Sequence, residues 1–141
     1  MTQVLHKCYL GTWTEAHSRF FLIKNSISHV LVAAPEVDNV FGESYQYKTV
    51  PMLLLTSFNP LPYFDEAADF INQALDDGTG LLVHDFKGDS RGPSSIIAYM
   101  IKFLSFTVDA ALKKLIEKKK EVKLNKHYRK MLEDYEKEVT E

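Results

Sequence analysis

The run Leu81-Leu82-Val83-His84-Asp85-Phe86-Lys87-Gly88-Asp89-Ser90-Arg91-Gly92-Pro93 constrains this chain more than any other stretch. An apolar strand, residues 80–83, enters a tight glycine-containing turn, and an apolar helix follows over 96–104. Ser90 and Arg91 fall where the turn meets that helix. Backbone N–H groups at a helix start carry partial positive charge, and a fixed guanidinium adds a planar fork of donors. Strand, turn and helix in this order therefore predict an anion cradle at the carboxyl end of a strand.

The rest of the chain supplies a sheet and helices to hold that cradle. Residues 3–10 read as a strand, and Thr14 to Lys24 as a short helix capped by Thr14, with Ala16, Phe20 and Ile23 on one face. Ser28 to Ala33, apolar from Val30 on, reads as a strand buried on both faces. Residues 35–43 read as a loop, and Tyr45 to Leu55 as one or two strands. Asn59-Pro60 opens a helix with Phe64, Ala67, Ala68, Ile71 and Leu75 on its apolar face, and Asp76-Asp77-Gly78 closes it. Thr107 is placed to cap a helix over 108–119, and Asn125 a last one with Leu124, Tyr128, Met131, Leu132, Tyr135 and Val139 on one stripe. Strands alternating with helices predict an α/β fold: a central, mostly parallel sheet with helices on both faces.

Composition narrows the function classes. The chain has 141 residues, 45% hydrophobic, which suits one domain over 1–141. A net charge of −2 argues against a nucleic-acid partner for the chain as a whole. The charge is nonetheless uneven. From Lys113 to Lys130 there are nine basic residues, opposed by Glu117 and Glu121 alone. That segment reads first as a solvated helical face, and otherwise as a surface for acidic partners, phosphoinositide headgroups or RNA. One cysteine, Cys8, excludes an intrachain disulfide and a cysteine zinc cluster; it sits in an apolar strand as a small hydrophobe. No stretch has the apolar length of a signal peptide core or a membrane span. The cytoplasm is the expected compartment, with the nucleus as the alternative. The scattered His6, His17, His29 and His127 suggest no metal site, and no cofactor is expected.

Several motifs in order resemble the dual-specificity, cysteine-dependent protein phosphatases. Tyr9-Leu10-Gly11 with Ala16, Ile27-Ser28-His29-Val30-Leu31, Leu61 to Ala67, Ala98-Tyr99-Met100 and Asn125 to Leu132 match that family's segments at its spacing. The loop matches its His-Cys-x5-Arg motif except that Asp85 stands at the cysteine. The resemblance implies the family fold and assigns phosphate binding to Phe86, Lys87, Gly88, Asp89, Ser90 and Arg91. Within it, Arg91 takes the arginine role, Ser90 the hydroxyl role, and His84 supports the loop.

The same resemblance puts the two chemical positions on unsuitable residues. The family's nucleophile is a thiolate, and Asp85 replaces it. Counting back from Asn59, the general acid falls at Leu54, which has no proton to donate. A shifted alignment would offer Asp38 or Asp65, but the Val50-Pro51 and Tyr63-Phe64 anchors fit without gaps. The expectation is a pseudophosphatase: a binding or regulatory module in phosphoprotein signalling, with a phosphoprotein or a protein kinase as partner. Two alternatives stand beside it. One is an active or deliberately inactivated Tyr/Ser/Thr phosphatase with Asp85 in place of the cysteine. The other is a scaffold that docks through the basic C-terminal helices. Asp85 itself is expected under the loop N–H groups and beside Arg91, as an ion pair or as a stand-in for the bound anion.

Overall fold

The computed structural model describes residues 1–141. Five strands form one sheet: β1 (Thr2–Leu5), β2 (Cys8–Gly11), β3 (Ile27–Val32), β4 (Gln46–Thr49) and β5 (Gly80–His84), in the spatial order β1-β2-β5-β3-β4. The β1–β2 pair is antiparallel and the other three pairings are parallel. The central strand β5 is buried along its whole length, which is why it reads as an unbroken apolar run.

Helices cover both faces, unequally. α3 (Leu61–Asp76), α4 (Arg91–Leu104), α5 (Val108–Lys118) and α6 (Lys126–Thr140) bury one face in the larger core, with Leu31, Leu81 and Val83 pointing into it. α1 (Trp13–Ala16) and α2 (Arg19–Lys24) lie on the opposite face, where Ala16 and Leu22 meet Val30, Val32 and Leu82. Period-2 alternation along β3 and β5 thus feeds two cores. α4 is buried from Arg91 through Ile101 and packs between α3, α5 and α6. The mostly parallel α/β architecture agrees with the sequence reading.

Four local expectations are corrected. Residues 3–10 are not one strand but a hairpin, turned at Lys7 in the left-handed region, φ 59°. The helix expected over 14–24 is two short helices broken at His17-Ser18; Thr12, not Thr14, caps the first, accepting the Glu15 N–H in a capping box. The Val50 to Leu55 run is not a strand. Val50 N–H still bonds the Val32 carbonyl at 2.8 Å, but Pro51 has no N–H to continue the ladder. Beyond it Met52 turns into the core and Leu53, Leu54 and Leu55 are exposed. Finally, α4 begins at Arg91, not at Ile96. Pro93 lies in the first turn, where an N–H is not needed, and the Ser94 and Ser95 hydroxyls donate to the Ser90 and Arg91 carbonyls.

Candidate active site

The loop leaves the carboxyl end of β5 and closes on the first turn of α4, the place where parallel sheets bind ligands. Gly88 makes the turn. Its φ is +78°, and a Cβ there would stand 2.7 Å from the Gly11 carbonyl oxygen, so β2 presses the loop into a shape only glycine fits. His84 is buried, and its Nδ1 donates to the Asp85 carbonyl at 3.1 Å. Burial lowers the pKa of His84 below the ordinary histidine value. Burial thus favours the neutral imidazole, tied to the loop backbone.

Asp85 is 2% exposed. One carboxylate oxygen accepts the Gly88 N–H and the other accepts the Gly92 N–H at 2.7 Å. Of the N–H groups from Phe86 to Gly92, these two alone donate within the chain, and both go to Asp85. The side chain has thus taken part of the seat that a helix N-terminus offers to an anion.

Arg91 does something the sequence did not indicate. It makes no ion pair with Asp85. Its guanidinium forks onto Glu36, donating to Oε1 at 2.9 Å and Oε2 at 2.5 Å, and donates also to the Met52 carbonyl at 3.1 Å. Burial disfavours the charge on Arg91, but the hydrogen-bonded Glu36 carboxylate outweighs it and raises the pKa. Hydrogen bonding from Arg91 in turn lowers the pKa of Glu36. Glu36 follows β3, whose carboxyl end lies beside that of β5. An acidic residue just past a strand neighbouring β5 was the available signal, and only sheet order makes it readable.

Ser90 lines the cleft beside Arg91 and also ties down a neighbouring segment. Its hydroxyl accepts the Asn125 N–H at 3.1 Å, anchoring the start of α6. The Asp89 carbonyl accepts the Lys123 N–H at 2.8 Å, so residues 119–125 are strapped along the loop. Phe86 is exposed and stacks on Trp13, with ring centroids 5.8 Å apart and planes 16° apart. Leu54, 48% exposed, lines the same cleft of about 380 Å³ together with Glu36, Asp85, Lys87, Arg91 and Lys123. Its neighbour Leu53 is pinned through a carbonyl bonded by the Tyr128 hydroxyl at 2.7 Å. Asp38 and Asp65 do not line the cleft: the Asp38 carbonyl bonds His17, and Asp65 pairs with Lys102 and Tyr135. Glu36 is the one carboxylate that reaches the cleft from outside the loop.

The remaining nucleophile is remote. Cys8 pairs with Leu81, three residues before the loop, and burial pushes its thiol up to about 12. No group of three or more His, Cys, Asp or Glu side chains converges to hold a metal ion.

Comparison with known proteins follows the same lines. The family model described as dual specificity phosphatase, catalytic domain, matches residues 8–138. The Protein phosphatase Slingshot homolog of Xenopus laevis is 31% identical over 135 residues, which is 96% of this chain and 20% of that protein. Dual specificity protein phosphatase 1B of Arabidopsis thaliana is 27% identical over 139 residues, 99% of this chain and 83% of its own length. The chain therefore spans a fifth of the first relative and most of the second. Two human crystal structures share the fold. The tyrosine phosphatase-like serine/threonine/tyrosine-interacting protein superposes with a TM-score of 0.91 at 22% identity, covering 100% of this chain and 98% of its own. DUSP28 superposes at 0.93 and 16% identity, covering 99% and 98%.

Proposed function

The chain belongs to the dual specificity phosphatase catalytic-domain family, and on that premise we propose that this member is catalytically silent and serves as a binding or regulatory module in phosphoprotein signalling. The observation that carries the reading is the double occupation of the pocket by the chain's own carboxylates. Asp85 holds the Gly88 and Gly92 N–H groups, and Glu36 holds the fork of Arg91.

The chemistry of each position supports it. Cysteine-dependent hydrolysis needs a thiolate that attacks phosphorus and an acid that protonates the departing oxygen. Asp85 has no sulfur, and both its oxygens are tied by N–H groups. An aspartyl-phosphate route needs further carboxylates to hold a divalent cation, and no such cluster surrounds Asp85. Leu54 offers the leaving oxygen an apolar surface and no proton. What the pocket retains is recognition chemistry: a buried guanidinium, a glycine turn and unpaired loop N–H groups. A phosphoprotein, or a kinase whose docking an active phosphatase would contest, is the proposed partner. The human relative in fold named phosphatase-like and interacting lends the idea a precedent by name.

A second reading, a scaffold docking through its basic helices, draws on Lys113 to Lys130. That segment runs beside the loop, with the Lys119 ammonium against Gly88 and Lys123 on the cleft rim.

A chromogenic aryl phosphate assay tests the proposal. The unchanged chain should show no turnover above background, and Asp85→Cys weak turnover. Adding Leu54→Asp to Asp85→Cys should then raise the rate by about 10²- to 10⁴-fold, the usual worth of a positioned acid. Turnover by the unchanged chain would sink the proposal, and full family rates from Asp85→Cys alone would favour an active enzyme that had lost only its nucleophile.

A further inference from the structure

The basic segment after Thr107 encloses a groove of its own beside the cleft. α5 carries an apolar stripe wider than the core covers. Val108, Ala111 and Leu115 are buried, whereas Leu112 and Ile116, each one residue further on, stand at the edge of the core, with Ile116 39% exposed. The chain then turns back over residues 119–125 and enters α6. Leu112 and Ile116 of α5 and Val122 and Leu124 of the returning strap line a groove of about 330 Å³, together with Lys123, Lys126 and Arg129. We propose that this groove docks an acidic peptide segment of a protein partner: an aliphatic side chain enters between α5 and the strap, and its flanking carboxylates meet the two lysines. The inference deepens the reading of this domain as a binding module and rests on it.

Three observations carry it. The first is charge. No acidic side chain lines the groove. Arg129 is partly neutralised by Asp109 and Glu133, but Lys123 and Lys126 enter no ion pair within the chain. The second is that this charge runs against local preference. The N-terminal end of a helix favours acids, yet α6 opens on Lys126, has no acid in its first turn and carries Arg129 one turn on. Cations at that end weaken the helix, and an acidic ligand offsets them. The third is continuity. Lys123 and Leu124 line both this groove and the cleft at Asp85, and the Lys123 N–H bond to the Asp89 carbonyl at 2.8 Å fixes the strap between the two. One extended peptide can lie across both.

Shape selects the occupant. Val122 is buried and Leu112 and Leu124 are half-buried, so most of the apolar surface is recessed between α5 and the strap. A bilayer takes up projecting apolar side chains, whereas a recessed groove receives an inserted one. A second copy of this chain is a poor match in charge. Its most exposed apolar helix, α2 with Phe20 and Ile23, is flanked by Arg19 and Lys24, which the lysines of the groove repel.

The test uses the full chain and a fluorescent peptide of two adjacent leucines flanked on each side by glutamates, with affinity read by anisotropy and the site by amide shifts. Saturable binding that weakens with added salt is expected, with shifts at Leu112, Ile116 and residues 122–126. Exchanging the leucines for serines, or Ile116→Asp in the chain, should each lower affinity at least about 10-fold. Lys126→Glu should lower it about 3- to 10-fold. That substitution places an acid at a helix start, so its effect on binding is not a loss of fold. Lys24→Glu, on the opposite face of the sheet, should leave affinity unchanged. Equal binding of the leucine and serine peptides, shifts confined to other surfaces, or no binding overturns the inference. Binding to anionic vesicles but not to the peptide, or a dimer that Ile116→Asp dissolves, overturns the peptide assignment. Adding a phosphotyrosine ahead of the glutamates separates this inference from the reading beneath it. A phosphotyrosyl peptide that binds equally with and without the acidic leucine segment overturns the groove and leaves a phosphoprotein partner standing. A leucine segment that binds at the groove while phosphotyrosine adds nothing supports the groove and removes the phosphoprotein.

Discussion

Replacing Asp85 with alanine should convert a self-filled loop into a phosphate-dependent one. Asp85 accepts two N–H bonds with a nearly fully buried carboxylate. Charge-assisted bonds of this kind contribute about 1.5–3 kcal/mol each, and the desolvation cost of the buried charge offsets part of that. Alanine removes both bonds and the desolvation cost together, leaving two donors that water can reach only through the cleft. A net loss of about 3 kcal/mol follows. For a domain of this size each kcal/mol moves the melting midpoint by about 3–4 °C, so the midpoint should fall by roughly 10 °C. Phosphate can then take the place of the carboxylate. At ten times its dissociation constant it returns about 1.4 kcal/mol, or about 4–5 °C. Thermal melts of both proteins, with and without phosphate at matched ionic strength, supply the assay. An alanine variant as stable as the unchanged chain, or equal phosphate shifts in both, would refute the idea that Asp85 fills the seat.

Two further outcomes follow from the loop. Burial lowers the pKa of His84, so the unfolded chain takes up a proton at this site before the folded one does. The stability tied to a neutral His84 is therefore complete above the ordinary histidine value of 6.5 and declines as pH falls below it. His84→Asn, which keeps a donor for the Asp85 carbonyl, should flatten that decline in melts taken on both sides of this value; parallel curves would contradict it. Gly88→Ala should cost more than about 2 kcal/mol, because left-handed strain adds to a contact with the Gly11 carbonyl, whereas Gly78→Ala, equally left-handed but in open space, should cost about 1. Denaturant midpoints for the two variants decide between this ranking and its reverse.

How much was readable in advance depended on whether the cause was local. Gly80 to Gly88 announced a strand and a tight turn because each depends on its own residues, apolar side chains and a glycine free to take φ +78°, whereas the helix start was expected five residues late, at Ile96 and not at Arg91. The caps at Thr107 and Asn125 were legible for the same reason. The hairpin at Lys7 was not, since a lysine in the left-handed region is imposed by the pairing of β1 with β2. Val50 to Leu55 carried strand-like residues, yet Pro51 and the edge position of β4 ended the ladder. Within the site, Asp85 and Leu54 were placed by the resemblance to the family's motifs. Glu36 was not, because its distance to Arg91 is set by which strand lies beside β5. The tie from the Ser90 hydroxyl to the Asn125 N–H was not readable either, because it depends on where the chain returns at the start of α6.

The chain's own aspartate fills part of the anion seat of this phosphatase fold. A crystal structure of the unchanged protein grown in concentrated inorganic phosphate tests it most directly. Asp85 oxygens are expected within hydrogen-bonding distance of the Gly88 and Gly92 N–H groups, with no phosphate oxygen on either. Phosphate seated on those two N–H groups, with Asp85 turned away, would contradict it.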